Sequence, residues 1–194
     1  MKEKARLSAK KIALVAVMTA TVEGAKLALA AIPNVEAVTL LCAAYGYVFG
    51  GLGMLATSLF VVIEALIWGI NTWVISYVIH WNGVCLIFWI LAKRGVKNRI
   101  VTTAAAVLLT IWFGVLTSLV DIGLFGGTYT DFPYRFAVYY MRGIVFYIVQ
   151  TVCNLLLFPV AFQPLVKVLE KAKNKFVTPE GNALRKIDKR EERA

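Results

Sequence analysis

Leu86-Ile87-Phe88-Trp89-Ile90-Leu91-Ala92-Lys93-Arg94-Gly95-Val96-Lys97-Asn98-Arg99-Ile100-Val101 joins two apolar runs through a short loop that holds basic residues and no acidic one. Cytoplasmic loops of membrane proteins retain Lys and Arg, so this loop marks one side of a bilayer. Two further patches match it. Lys2, Lys4, Arg6, Lys10 and Lys11 precede the first apolar run, and Lys167 opens a basic tail. Only Lys26, Arg135 and Arg142 fall elsewhere. If all three patches lie on one side, an even number of spans separates each from the next.

Composition agrees with a membrane chain. A mean hydropathy of +0.73 with 60% hydrophobic residues excludes an ordinary soluble domain of 194 residues. The net charge of +10 fits the membrane rule better than nucleic-acid binding, because the basic residues hug span ends and lack interleaved aromatics. Cys42, Cys85 and Cys153 lie singly in apolar runs and read as buried free thiols. His80 is the only histidine, which rules out a histidine-based metal cluster.

The apolar runs predict an all-α, six-helix membrane bundle. The spans are expected at about 11–32, 37–49, 54–68, 74–92, 100–125 and 137–168. Residues 1–10 form a basic N-terminus, 11–170 the transmembrane domain and 171–194 a charged tail. Both termini are then cytoplasmic. The basic start and Ala28-Leu29-Ala30 imitate a signal peptide, but Glu23, Lys26 and the following spans indicate a retained first helix. Pro33 ends the first span, Gly50-Gly51-Leu52-Gly53 reads as an uncharged turn, and Pro159 is expected to kink the last span. The tail reads as a frayed helix or disordered segment able to touch anionic lipid.

The first span carries Ala16, Ala20, Gly24 and Ala28 at a spacing of four, which places small residues along one helix stripe. In lipid such a stripe lets a second helix approach closely. The partner is either a separate protein or a neighbour in the same bundle. Glu23 and Lys26 share that span, three apart, and face similar directions. Intramembrane charges mark function by default, and a self-satisfied Glu23–Lys26 pair is the structural alternative.

Other polar groups gather at the ends of spans opposite the basic patches. Candidate ligand contacts are Lys26, Asn34, Asn71, Trp73, Trp81, Asn82, Asp121, Tyr129 and Arg142, with Glu36, Glu64, Asp131 and Arg135 nearby. Amides orient a ligand by hydrogen bonds, and indoles cover flat apolar faces. An interfacial aromatic belt is the alternative for any single Trp or Tyr. The crowd is one-sided, however, which points to a pocket open to the outside. Asp121 and Arg142 serve equally well as a salt bridge or as ligand contacts.

Absences narrow the function. The chain has no phosphate-binding Gly-Lys-Ser/Thr loop, no His-Glu-x-x-His and no Ser-His-Asp set, and its carboxylates are scattered rather than paired. A non-enzymatic role without cofactor is therefore expected. The rivals are a membrane-embedded enzyme acting on a lipid or isoprenoid, and an accessory membrane protein without ligand.

Residues 8–170 together resemble the substrate-binding (S) components of energy-coupling factor transporters, ABC importers for vitamins and related micronutrients. The segment Ile32-Pro33-Asn34-Val35-Glu36-Ala37-Val38-Thr39 is similar to the outer turn of a subgroup of that family, as is Thr72-Trp73-Val74-Ile75-Ser76-Tyr77 with Trp81. Ala16 and Ala20 match the family's small-x-x-x-small stripe. The resemblance implies a capture subunit in a bacterial plasma membrane. It implies an outward-facing pocket, and a stripe of Ala16, Ala20 and Gly24 that docks on a transmembrane coupling protein serving two ATPases. No signature for a particular vitamin stands in these residues.

Overall fold

The computed structural model describes residues 8–33, 35–125 and 131–176, and its elements are helical. In chain order these are α1 (Ala9–Leu29), α2 (Val38–Phe49), α3 (Gly51–Trp68), α4 (Thr72–Lys93), α5 (Arg99–Phe125) and α6 (Phe132–Leu157). A π-helical segment, Phe158–Phe162, then leads into α7 (Gln163–Phe176). Five of the helices are long and apolar enough to cross a membrane, and α2 is a shorter apolar helix. Large apolar side chains such as Leu66, Ile70, Leu108, Leu156 and Val160 are exposed around the bundle. That is the surface of a multi-pass membrane protein, whose solvent is hydrocarbon.

The short connections force consecutive helices to run antiparallel. One end of the bundle thus collects the start of α1, the α4–α5 loop and α7, and will be called the basic end. The other is the far end. At the basic end α4 stops in a Schellman turn, with Gly95 N–H donating to Ala92 O and Val96 N–H to Leu91 O. Asn98 Oδ1 then caps α5, accepting from Ile100 N at 2.8 Å. Tyr47 Oη donates to Val96 O at 2.8 Å and ties this loop to α2.

α2 is the hub. Nearly all of its side chains are buried, and it packs on α4 above all, then on α3 and α7. At roughly 1.5 Å per residue its twelve residues cannot span the core alone. Both of its ends are met by side chains of the sign the helix dipole favours. At its N-terminus the Glu36 carboxylate accepts from Thr39 N at 2.8 Å, and at its C-terminus, at the basic end, Lys173 Nζ donates to Val48 O at 2.6 Å. α7 therefore closes the bundle below α2.

The α2–α4 contact depends on Gly46. A Cβ there would lie 2.1 Å from Cys85 O, so the two backbones touch and no side chain fits between them. The expected four-residue glycine turn is tighter than its sequence implies. Gly50 alone breaks the helix, with φ +57°, and Gly51 already begins α3. The break expected at Pro159 takes the form of the π-helical segment, because proline has no N–H and its ring crowds the carbonyl one turn back. Phe158 and Phe162 from this segment are fully buried against Phe88.

Candidate functional site

Two hydrogen-bonded clusters tie the helices together inside the bundle. In the first, Glu36 precedes α2 and links it to α6. Asn154 Nδ2 donates to Glu36 Oε1 at 2.8 Å and to Thr110 Oγ1 of α5 at 3.0 Å, and Cys153 Sγ donates to Glu36 O at 3.2 Å. Glu36 and Asn154 are both buried, so these bonds replace water rather than compete with it.

The second cluster centres on Lys26, in the last turn of α1. Its Nζ forms an ion pair with Glu64 Oε2 of α3. Glu64 is fully buried, whereas the lysine side chain keeps 29% exposure. The same Nζ lies 5.2 Å from the ring centre of Tyr77 and 5.9 Å from that of Phe60. The self-contained Glu23–Lys26 pair weighed from sequence is not what forms. Lysine reaches across to α3, and both Glu23 oxygens are buried with no hydrogen-bond partner among the described residues. α1 and α3 are packed together, which brings Glu64 within reach of the Lys26 ammonium.

α4 supplies the aromatic wall. Trp73, Tyr77 and Trp81 recur every fourth residue and so stack along one face. Ring centres are 4.9 Å apart for Trp73–Tyr77 and 5.6 Å for Tyr77–Trp81, both edge to face. Phe60 and Phe113 back Trp81 from α3 and α5. His80 is buried between Trp81 and Phe113, with ring centres at 4.7 and 4.6 Å, and serves as packing.

Around these groups lie two cavities with a shared partition. One, of about 260 Å³, is lined by Lys26, Ile32, Glu36, Tyr77, Trp81 and Gln150 among others. The other, of about 210 Å³, is lined by Lys26, Glu64, Trp68, Trp73 and Tyr77. Lys26 and Tyr77 border both, and these adjoining cavities are together called the chamber. A separate cleft of about 390 Å³ lies at the basic end between α2, α4 and α7, lined by Trp89, Lys93, Lys97, Glu170 and Lys173 among others.

Of the residues singled out from sequence, Lys26, Trp73 and Trp81 meet in the chamber. Asn82 turns elsewhere. Its Oδ1 accepts from Ser58 at 2.8 Å, its Nδ2 donates to Val78 O, and it lines an apolar groove between α3 and α4. Asn71 caps α4 by accepting from Thr72 N at 2.7 Å. Arg142 is exposed, with its guanidinium 5.6 Å from the Tyr139 ring centre, and no ion pair joins it to Asp121. Asn34 and Tyr129 lie outside the described residues.

Tyr77 and Gln150 line the chamber but were not among the sequence candidates. Tyr77 was legible from its spacing between Trp73 and Trp81. Gln150 is one of two amides in the apolar run of α6, with Asn154 one turn on, and such residues face a bundle interior in membranes.

The small stripe of α1 faces outward. Ala16, Ala20, Gly24 and Ala28 are exposed, whereas Val15, Met18, Thr19, Val22 and Glu23 face the bundle. A Cβ on Gly24 would meet nothing within 4 Å. The stripe is therefore not used for packing within this bundle. Among the described residues no group of His, Cys, Asp and Glu is placed to hold a metal ion. Comparison of the chain with protein-family models, curated proteins and solved structures finds no match.

Proposed function

We propose that the chain is the substrate-capture subunit of an energy-coupling-factor-type importer in a bacterial plasma membrane. It spans the bilayer six times with both termini in the cytoplasm, so the far end opens outward. It binds a vitamin or related micronutrient there and docks on a transmembrane coupling protein driven by two ATPases. The chamber carries this reading. A mixed cavity with a buried charge, amide and indoles is the usual form of a small-molecule site. The outward-facing stripe of α1 supports the docking half, because small residues on a lipid-exposed face allow close helix contact.

The test separates capture from docking. Ala16→Leu with Ala20→Leu adds bulk to the exposed face of α1 without touching the chamber. Ligand binding to the isolated subunit should stay within about twofold of wild type. Uptake, and recovery of the coupling protein with the subunit, should be lost. Uptake at the wild-type rate by the double variant would remove the docking face from this proposal.

A further inference from the structure

The chamber also constrains the charge of what it takes. Resting on the capture reading, we infer that its ligand is an organic cation: a flat ring system carrying a protonated nitrogen that donates to Glu64. Glu64 is fully buried and lines the smaller cavity. One of its oxygens holds Lys26, and the other, Oε1, has no hydrogen-bond partner. A buried carboxylate oxygen without a donor is destabilising, and a ligand N–H is the group that would satisfy it.

The surroundings select a cation over an anion. The ammonium of Lys26 already sits on the faces of Tyr77 and Phe60, so a positive charge is held there by π electrons and a carboxylate together. Trp68 and Trp73 add two indole walls to the smaller cavity. Glu36 and Glu64 are buried carboxylates lining the chamber, and Lys26 is the single basic residue lining it. A carboxylate or phosphate ligand would meet excess negative charge in a medium that screens it poorly. A ring bearing a protonated nitrogen would stack on Trp73 and complete Glu64. Lys26 then acts as a tethered internal cation whose charge opposes a second one.

Tryptamine and indole-3-propionate share a ring and differ in the sign of their charge. Binding of each is measured on the purified full chain in lipid nanodiscs. Tryptamine should bind and indole-3-propionate should not. Lys26→Met removes a neighbouring like charge and leaves Glu64 without its partner, so the folded variant, checked as monodisperse, should bind tryptamine about threefold or more tighter. Glu64→Gln should weaken it about tenfold or more. Should Glu64→Gln not fold, Trp73→Ala removes one half-buried wall and should weaken tryptamine about fivefold. Preference for indole-3-propionate, lost in Lys26→Met, would overturn the inference while leaving the capture reading intact. Equal binding of both probes, or binding of neither to wild type and Lys26→Met, would also overturn it. The capture reading is decided separately, by the molecule that the chain retains from its own membrane.

Discussion

Lys26 of α1 is paired with Glu64 of α3, and not with Glu23 one turn earlier on its own helix. The pair crosses a helix contact, stands between two cavities and leaves one Glu64 oxygen without a donor. Breaking a buried pair strands the remaining charge, so such a pair holds helices in one arrangement even where it adds little net stability. Here it fixes α1 against α3 while the opposite face of α1 remains uncovered.

The α2–α4 contact makes a prediction about packing. Gly46→Ala places a methyl group 2.1 Å from Cys85 O, where backbone rather than a movable side chain must yield. It should destabilise the protein by about 1–3 kcal/mol or more, read as a lowered thermal midpoint in detergent. Gly24→Ala, in open space on α1, should leave the midpoint unchanged or slightly raised, since alanine is the better helix former. Equal effects of the two substitutions would refute the close contact.

Asn154 joins α6 to Glu36 and Thr110 through one amide. Asn154→Leu keeps the approximate volume but leaves the Glu36 Oε1 acceptor one donor short. A loss of about 1–3 kcal/mol is expected. Glu36→Gln together with Asn154→Leu should cost less than the two single changes added, because both act on one network. Additive losses, measured by thermal or denaturant unfolding, would show that the two residues do not work as a unit.

Six spans with cytoplasmic termini require that residues 97 and 131 lie on opposite sides. The cationic α4–α5 loop motivates the assignment. In a background with native cysteines replaced, Lys97→Cys should resist a membrane-impermeant maleimide in intact cells and Asp131→Cys should react. Reversed labelling would place the chamber at the cytoplasmic face and end the capture reading.

Much of this fold was legible in the chain. Uninterrupted apolar runs between short polar turns place the first five helices to within a few residues, whereas the last, expected at 137–168, starts at Phe132, is interrupted at Phe158–Phe162 and continues as α7 to Phe176; Pro33 and Pro159 mark real discontinuities. The glycine corner was harder. Gly51 and Gly53 look like turn residues, yet they are helical because α3 packs tightly on α2 there, with a Cβ on Gly53 lying 2.4 Å from Tyr45 O. The chamber was legible where periodicity reports a face, as for Trp73 and Trp81. It was not legible where a polar residue had a choice of neighbours. Asn82 lies next to Trp81 in sequence, but adjacent helix residues point about 100° apart, which turns it toward Ser58. Nor does spacing reveal that Lys26 prefers a carboxylate two helices further along the chain.

The capture reading is tested most directly by what the protein carries out of its own membrane. The full chain, extracted from native membranes without added ligand and purified to a single species, would be denatured and its small molecules identified by mass spectrometry. One non-lipid compound in near-stoichiometric amount is expected, with a flat ring and a protonatable nitrogen, and reduced in amount when Trp73→Ala opens the chamber wall. A monodisperse, folded preparation that releases only phospholipid and detergent would contradict a capture role and favour an accessory membrane protein without ligand.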